Sequence, residues 1–211
     1  MVSFYSSRNA FIVFIIASIS SIALGQYIFQ WAPEAKTPSN NQFSAIRAFQ
    51  HWEQLCISVP TRHASTANYN ITYNYVLSEI RNYYQMSSKS KLIKLSYEEE
   101  FGEIYETKMG RIIQVERDAR NIVVLIQPIN HENENNSPIL ISAHIDGKNR
   151  GPAAYDDGAG IAAMLESINL LVESNQPPSR PIIFLFVGIE ELGLQGSQLF
   201  LKYRNCSRHN E

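Results

Sequence analysis

Residues 139–160 read ILISAHIDGKNRGPAAYDDGAG, and this stretch decides the fold class that the sequence predicts. It begins with the apolar run Ile139–Ile141 after Pro138. A short apolar run bounded by breakers favours a buried strand over a helix. Small residues at Gly158–Gly160 lead into the apolar-periodic run Ile161–Val172, which predicts a helix. Strand, polar loop and helix form the unit in which α/β proteins gather ligands at the carboxyl ends of strands.

The polar residues of this stretch are of the types that bind zinc. His144 and Asp146 lie two positions apart, so in an extended chain both side chains leave the same face. Asp156 follows in the loop, and imidazole and carboxylate groups are zinc ligands. We therefore expect His144 and Asp156 to bind a metal, with Asp146 orienting the imidazole. The simpler alternative is an ordinary polar histidine at a strand end and an aspartate that caps a helix.

A second motif strengthens the metal hypothesis. Pro181–Phe186 (PIIFLF) predicts another buried strand, and Glu190 and Glu191 follow closely after it. Two adjacent carboxylates are costly to bury unless they bind a cation or exchange protons. Adjacent side chains point in different directions, so one can bind a cation while the other faces an attacking water. The alternative is a pair of solvated glutamates at the start of a helix, where the helix dipole favours negative charge.

Three motifs in this order resemble those of the M28 family of zinc peptidases: AHID (Ala143–Asp146), AAYDDGAG (Ala153–Gly160) and FVGIEELGLQGS (Phe186–Ser197). The resemblance covers roughly residues 44–204. It implies hydrolysis of peptide bonds, of the aminopeptidase type, at a co-catalytic site with two zinc ions. The order of predicted elements makes the chain an α/β protein. The resemblance makes it a three-layer sandwich, with helices flanking a central mixed β-sheet.

The resemblance also implies a role for each polar residue of the motifs. These roles are His144 and Glu191 as zinc ligands, Asp156 as the carboxylate that bridges both ions, Asp146 as the residue that orients His144, Glu190 as the general base and Asp157 as a neighbour that shapes the loop. As a general base, Glu190 would take the proton of the attacking water and pass it to the leaving amine.

The chain departs from the family at its C-terminal end. The family completes its site with a further Asp and a final His on later strand-end loops. The only later histidine here, His209, lies in the polar tail NCSRHNE, which is unlike that motif. We therefore expect a C-terminally truncated fold in which Asp156 and Glu191 hold one ion, and Asp156 and His144 the other. Zinc sites normally have three or four protein ligands, so poor affinity and an inactive chain are expected.

The N-terminal residues are expected to direct the chain into the secretory pathway. Residues 10–29 (AFIVFIIASISSIALGQYIF) carry no charge and approach the length of a bilayer span. The small residues at 23–25 fit a cleaved signal peptide, whereas the aromatic residues through Trp31 fit a signal anchor, which we favour. The expected organisation is a signal peptide or signal-anchor transmembrane segment at 1–32, a linker at 33–43 and the N-terminal part of an M28-type peptidase domain at 44–211.

Composition and short motifs limit the partners and the compartment. A net charge of −2, from 18 basic and 20 acidic residues, gives no support for a nucleic-acid partner. The expected partners are a peptide substrate and, through the N-terminal segment, a membrane. With the leader, the glycosylation triplets at Asn70 and Asn205 support a secretory compartment. A looser resemblance to membrane-anchored endoplasmic reticulum metallopeptidases places the peptidase domain in the lumen of that organelle. The vacuole and the cell exterior are the alternatives.

Other local patterns predict the elements around the motifs. They indicate helices over Ser44–Ile57 and Ile71–Met86, an antiparallel hairpin that turns at Gly102, and a separate buried strand at Asn121–Pro128. His63 is expected to be structural. Three polar features are expected to be solvated: His51, Glu166 and the run Glu98–Glu100. The two cysteines, Cys56 and Cys206, show no spacing that decides between a disulfide and free thiols.

Two other functions are compatible with parts of the pattern. Glutaminyl cyclases are relatives that use a single zinc and a similar Asp and Glu-Glu pattern for acyl transfer without water. They carry a longer, aromatic-containing insertion after the glutamates, so the compact EELGLQGS (residues 190–197) is closer to the aminopeptidases. A non-catalytic receptor-like protein or complex subunit is the other alternative. The intact motifs argue against loss of ligands by substitution.

Overall fold

The computed structural model describes residues 17–21, 23, 41–59, 61–108, 111–129 and 137–207. Residues 17–21 and 23 are helical and belong to a compact unit at Met1–Lys36, whereas Thr37–Glu211 forms a second unit. Within the described ranges, no helix has both the length and the apolar character needed to cross a membrane. Most of the predicted leader and linker, together with His209, lies outside the described residues.

A four-stranded mixed sheet forms the centre of the second unit. Its strands are β1 (Ile93–Lys108), β2 (Arg111–Pro128), β3 (Ile139–His144) and β4 (Ile182–Val187). The strand order is β1-β2-β4-β3. β2 pairs antiparallel with β1 and β4, and β3 runs parallel to β4 with His144 beside Val187. The residues that follow β3 and β4 therefore start from the same edge of the sheet.

Helices cover both faces of this sheet. They are α1 (Ala45–Cys56), α2 (Ala67–Ser87), α3 (Ala159–Ser174) and α4 (Gln195–Ser207). Strand side chains alternate between the two faces. One set packs in the same core as α1, α2 and α3 and includes Ile122, Val124, Phe184 and Phe186. The other set packs with Phe200 of α4 and includes Val123, Leu185 and Val187. The predicted three-layer α/β sandwich is confirmed.

The expected turn at Gly102 is wrong. β1 continues through Gly102, and the predicted separate strand at Asn121–Pro128 is the second half of β2. The register of the pairing shifts directly after Gly102, between Glu103 and Ile104, so the alternation breaks there without a reversal of the chain. An added Cβ at this position would meet the end of the Leu199 side chain on α4, which would have to move.

The strand at Ile139–Ile141 is confirmed, but its expected burial is wrong. All three side chains of this run are exposed, and burial begins only at Ala143. β3 lies at the edge of the described sheet with a single neighbour, β4. The apolar run therefore predicted the strand correctly but the burial of its side chains incorrectly, because burial depends on what packs against the strand.

Glu166, expected to be solvated, is fully buried in α3. Arg47 of α1 donates from Nε and Nη2 to the two carboxylate oxygens, each at 2.9 Å. The main-chain N–H of Ser44, the residue that caps α1, donates to the same carboxylate at 2.7 Å. A buried carboxylate is stable only when its charge is paired and hydrogen-bonded, and these three bonds fix α1 against α3.

Two further expectations of solvation are wrong in the same way. His51 is half-buried, with Nδ1 2.6 Å from the hydroxyl of Tyr75 and Nε2 3.2 Å from that of Tyr83. Burial lowers the pKa of His51 below its ordinary value. Glu100 lies inside β1 and is buried, and its carboxylate accepts a hydrogen bond from Asn121 Nδ2 at 2.9 Å. Burial raises the pKa of Glu100.

Candidate metal centre

The parallel pairing of β3 and β4 brings two motifs together. The Ile145 N–H donates to the Val187 carbonyl at 2.7 Å, so the pairing continues one residue beyond β3. Asp146 follows directly, and its fully buried carboxylate reaches the chain after β4. It accepts the main-chain N–H groups of Glu190 at 2.9 Å and of Glu191 at 3.0 Å. One buried carboxylate therefore holds both glutamates beside the end of β3.

His144 is oriented by the residue two positions later. Its Nδ1 lies 3.0 Å from the main-chain oxygen of Asp146 and 3.6 Å from the carboxylate Oδ1. A carbonyl oxygen only accepts, so Nδ1 carries a hydrogen and Nε2 faces the other polar groups. The orienting contact expected from the Asp146 side chain is thus made mainly by its main chain, while the carboxylate serves the glutamates.

The turn Ala154–Gly158 carries the third motif to the same place. Asp157 accepts the N–H of His144 at 3.3 Å and the N–H of Gly160 at 3.1 Å, so it connects β3 to the start of α3. Gly160 has to be glycine, because an added Cβ would overlap the Asp157 carboxylate. This geometry agrees with the expectation that Asp157 shapes the loop. It also leaves Asp156 directed at His144 Nε2, with Oδ1 at 2.8 Å.

Three predicted ligands converge at this point. Ligand atoms of His144, Asp156 and Glu191 all lie within 4.8 Å of one another. An imidazole nitrogen and two carboxylates form a donor set that zinc accepts, and three protein ligands leave one position open, as in catalytic zinc sites. The expectation divided His144 and Glu191 between two ions, whereas the structure brings both close enough to bind one ion together with Asp156.

The electrostatics of the cluster favour a cation. Burial of His144 disfavours its protonated form, but hydrogen bonds to Asp146 and Asp156 and the charge of Asp157 outweigh it and raise the pKa to about 9. Burial raises the pKa of Asp157, against the opposing effect of His144. A site that stabilises positive charge on His144 suits either a proton on Nε2 or a metal ion in its place.

The two glutamates have different surroundings. The Glu191 side chain is 10% exposed and has Lys148 Nζ 3.5 Å from Oε2. The Glu190 side chain is 33% exposed, and its Oε2 lies 3.9 Å from His144 Nε2. Ile189, just before them, has a positive φ of 57°, which turns the chain sharply after β4. The more buried glutamate, Glu191, thus lies close to the two other candidate ligands, and Glu190 is within reach of both solvent and the cluster.

Comparison with known proteins shows what this chain is similar to. Residues 121–210 match Peptidase family M28. The chain is 28% identical over 160 residues to Endoplasmic reticulum metallopeptidase 1 of Mus musculus, covering 76% of this chain and 18% of that protein. It is 28% identical over 162 residues to Vacuolar membrane protease of Kluyveromyces lactis, covering 71% of this chain and 16% of that protein. Part of this chain, residues 121–210, is therefore similar to peptidase family M28.

Solved structures agree on the fold. The LapA aminopeptidase of Legionella pneumophila matches this chain with a TM-score of 0.57 and 24% identity. The match covers 79% of this chain and 40% of that one, and it shows a shared fold. This chain spans less than a fifth of the length of the curated relatives named above.

Asn121 positions the segment that carries the two glutamates, and the sequence interpretation did not single it out. Its Oδ1 accepts the Gly188 N–H at 3.1 Å, and its Nδ2 donates to the Gly196 carbonyl at 2.8 Å. Both ends of the segment that carries Glu190 and Glu191 are therefore bound to β2. The available signal was a polar residue at the head of the apolar run NIVVLI (residues 121–126).

Proposed function

We propose that this chain carries the first part of an aminopeptidase-type zinc peptidase site, with His144, Asp156 and Glu191 as metal ligands. The observation that carries the proposal is the convergence of these three ligand atoms within 4.8 Å. The match of residues 121–210 to peptidase family M28 and relatives named as a metallopeptidase and a protease support hydrolysis of peptide bonds.

The ligand set fits zinc in number and in chemistry. When bound, zinc polarises a substrate carbonyl and lowers the pKa of a bound water. His144 presents Nε2 because Nδ1 donates to the Asp146 carbonyl. We assign to Asp156, whose side chain is 69% exposed, the further role of holding a second ion through its other carboxylate oxygen. The Asp146 carboxylate keeps Glu191 in place by accepting the Glu191 main-chain N–H.

Glu190 is the proposed general base. Its carboxylate is held beside the ligands by the bond from its own N–H to Asp146. Oε2 faces His144 Nε2 across 3.9 Å and is partly open to solvent, so a water and a substrate amide can reach it. Oε2 would take a proton from the attacking water and deliver it to the leaving amine. The substrate is then a peptide, cleaved at its N-terminus.

The domain limits and the compartment are part of the proposal. We assign residues 1–32 to a signal peptide or anchor, 33–43 to a linker and 44–211 to the peptidase domain. Relatives named for the endoplasmic reticulum and for the vacuolar membrane support a membrane of the secretory pathway. We place the peptidase domain on the lumenal side.

The test is metal content and turnover of the full chain, purified in mild detergent. Zinc is measured by elemental analysis, and hydrolysis is measured on a panel of aminoacyl p-nitroanilides. Poor affinity and an inactive chain were expected from ligands divided between two ions. With three ligands around one ion, wild type is instead proposed to hold zinc and release p-nitroaniline, and Glu190→Gln to hold zinc without turnover. Glu191→Ala is expected to lose zinc. Wild type that holds zinc but never turns over would replace the enzyme proposal with a binding role, and wild type without zinc would refute the metal site.

A further inference from the structure

Arg62 lies in the loop between α1 and α2 and is fully buried. A fully buried guanidinium is rare in proteins unless a carboxylate pairs with it. In the described part of the chain no carboxylate pairs with Arg62. Its hydrogen bonds go to main-chain carbonyl oxygens and to the Cys56 thiol. The Arg62 guanidinium therefore donates its hydrogen bonds mainly to the main chain around it.

Those donors bind both ends of one loop. Nε donates to the Ile145 carbonyl at 3.0 Å, just after β3. Nη1 donates to the Pro152 carbonyl at 2.6 Å and Nη2 to the Ala153 carbonyl at 2.9 Å. The main-chain oxygen of Arg62 accepts the Gly147 N–H at 3.2 Å. Residues 145–153 join β3 to the turn that carries Asp156, so Arg62 fixes where that turn begins.

Trp52 of α1 continues the same row of contacts. Its indole Nε1 donates to the Ala154 carbonyl at 2.9 Å, so three consecutive carbonyls are held just ahead of Asp156. Ala153 has a left-handed φ of 49°, which is unfavourable for a residue with a Cβ. Its carbonyl also accepts the Gly158 N–H at 3.1 Å. The conformation of this segment therefore depends on partners from another part of the chain.

We propose that Arg62 is a positioning residue for the metal centre, acting through the loop that carries Asp156. The inference rests on the proposed function. A ligand has to be held within about 0.5 Å of its productive position, and that precision comes from the residues behind it. Arginine suits this role because its rigid planar fork presents five donors, whereas lysine has three on a flexible stem.

Arg47 provides a control, because its guanidinium also donates as a fork, here to the fully buried Glu166, although the Arg47 side chain itself is 36% exposed. It joins α1 to α3 through two hydrogen bonds, and none of its contacts within the described residues involves residues 145–158. Arg62→Lys and Arg47→Lys both keep the charge and lose the fork. A purely structural role of Arg62 predicts similar behaviour of the two variants. A positioning role predicts that only Arg62→Lys changes the metal site.

The experiment measures metal binding and folding separately on the full chain. Zinc affinity is measured by competition with a chromophoric chelator, and the visible absorption of Co²⁺ in the same site reports ligand geometry. Urea unfolding of the metal-free protein reports stability. Arg62→Lys is expected to weaken zinc binding by about 10- to 100-fold, the range for residues that orient ligands, and to change the Co²⁺ spectrum. Arg47→Lys is expected to lower the urea midpoint and leave both metal readouts unchanged.

Trp52→Phe provides a second variant, since it removes one N–H and keeps the ring. It is expected to weaken zinc binding by about two- to tenfold, as for one hydrogen bond, and it carries the test if Arg62→Lys fails to fold. If Arg62→Lys folds and binds zinc with wild-type affinity, the inference is overturned. If Arg62→Lys does not fold, wild-type zinc affinity of Trp52→Phe overturns it. Equal loss of affinity in Arg47→Lys would also overturn it. Wild-type protein that binds no metal would instead overturn the proposed function and this inference with it.

Discussion

Replacing Asp146 with Asn tests whether one buried carboxylate places both glutamates of the site. Oδ1 accepts the Glu190 N–H at 2.9 Å and Oδ2 accepts the Glu191 N–H at 3.0 Å. Asparagine has nearly the same shape but only one acceptor oxygen, and its amide N–H₂ would face a main-chain N–H. The substitution therefore removes one of the two bonds without creating a cavity.

The size of the effect follows from that single lost bond. A hydrogen bond to a charged acceptor contributes about 1.5–3 kcal/mol, and the N–H left behind in a buried site has no replacement partner. If holding the glutamate segment in place becomes less favourable by about 2 kcal/mol, zinc affinity falls by about 30-fold, at 1.4 kcal/mol for each factor of ten. We expect Asp146→Asn to weaken zinc binding by about that factor, because Glu191 is the ligand on this segment.

Glu166→Gln is the control for Asp146→Asn. It also converts a fully buried carboxylate to an amide, but its partners are Arg47 and Ser44, outside the metal centre. Zinc competition and urea unfolding are measured on both variants. Glu166→Gln should unfold at lower urea with wild-type zinc affinity, and Asp146→Asn should lose affinity. A zinc affinity of Asp146→Asn within twofold of the wild-type value would refute the idea that this carboxylate fixes the position of the glutamate segment.

Two further predictions concern stability. Gly188→Ala places a Cβ against the Arg120 carbonyl and the Tyr69 hydroxyl, so the free energy of unfolding should fall by about 1–3 kcal/mol, and an unchanged urea midpoint would contradict this. Burial lowers the pKa of His51 in the folded state. The neutral imidazole therefore contributes stability that is fully present above the unfolded-state pKa of about 6.5. This stability is lost as pH falls through the folded-state pKa. The unfolding free energy of wild type relative to His51→Gln should therefore shrink between pH 7.5 and pH 5, and a constant difference would argue against it.

Several features of this chain were predictable because they depend on neighbours within a few residues. Short apolar runs bounded by breakers identified the strands around Ile139 and Ile183, and apolar spacing identified the helices around Trp52 and Ile80. The polar residues that follow β3 and β4 were recognised as metal-binding types from their chemistry and their place at strand ends. These signals are local, so one sequence is enough to show them.

The misjudged polar residues depend on distant partners. Glu166 is buried by Arg47, which lies 119 positions earlier in the chain. Glu100 is buried beside Asn121, and the change of register after Gly102 is set by pairing with β2. Apolar periodicity records which face of an element avoids water. It does not record which charged side chain on another element compensates a buried carboxylate.

The sequence by itself determined the order β3, α3 and β4 around the motifs and the chemical types of the candidate ligands. Tertiary structure alone decided that His144, Asp156 and Glu191 meet, because only the parallel pairing of β3 with β4 brings their loops to one edge of the sheet. It also decided which residues stand behind them. Asp146 holds a segment 44 positions away, and Arg62 a loop about 90 positions away. Such contacts are set by packing between elements, which the spacing of residues along the chain does not encode.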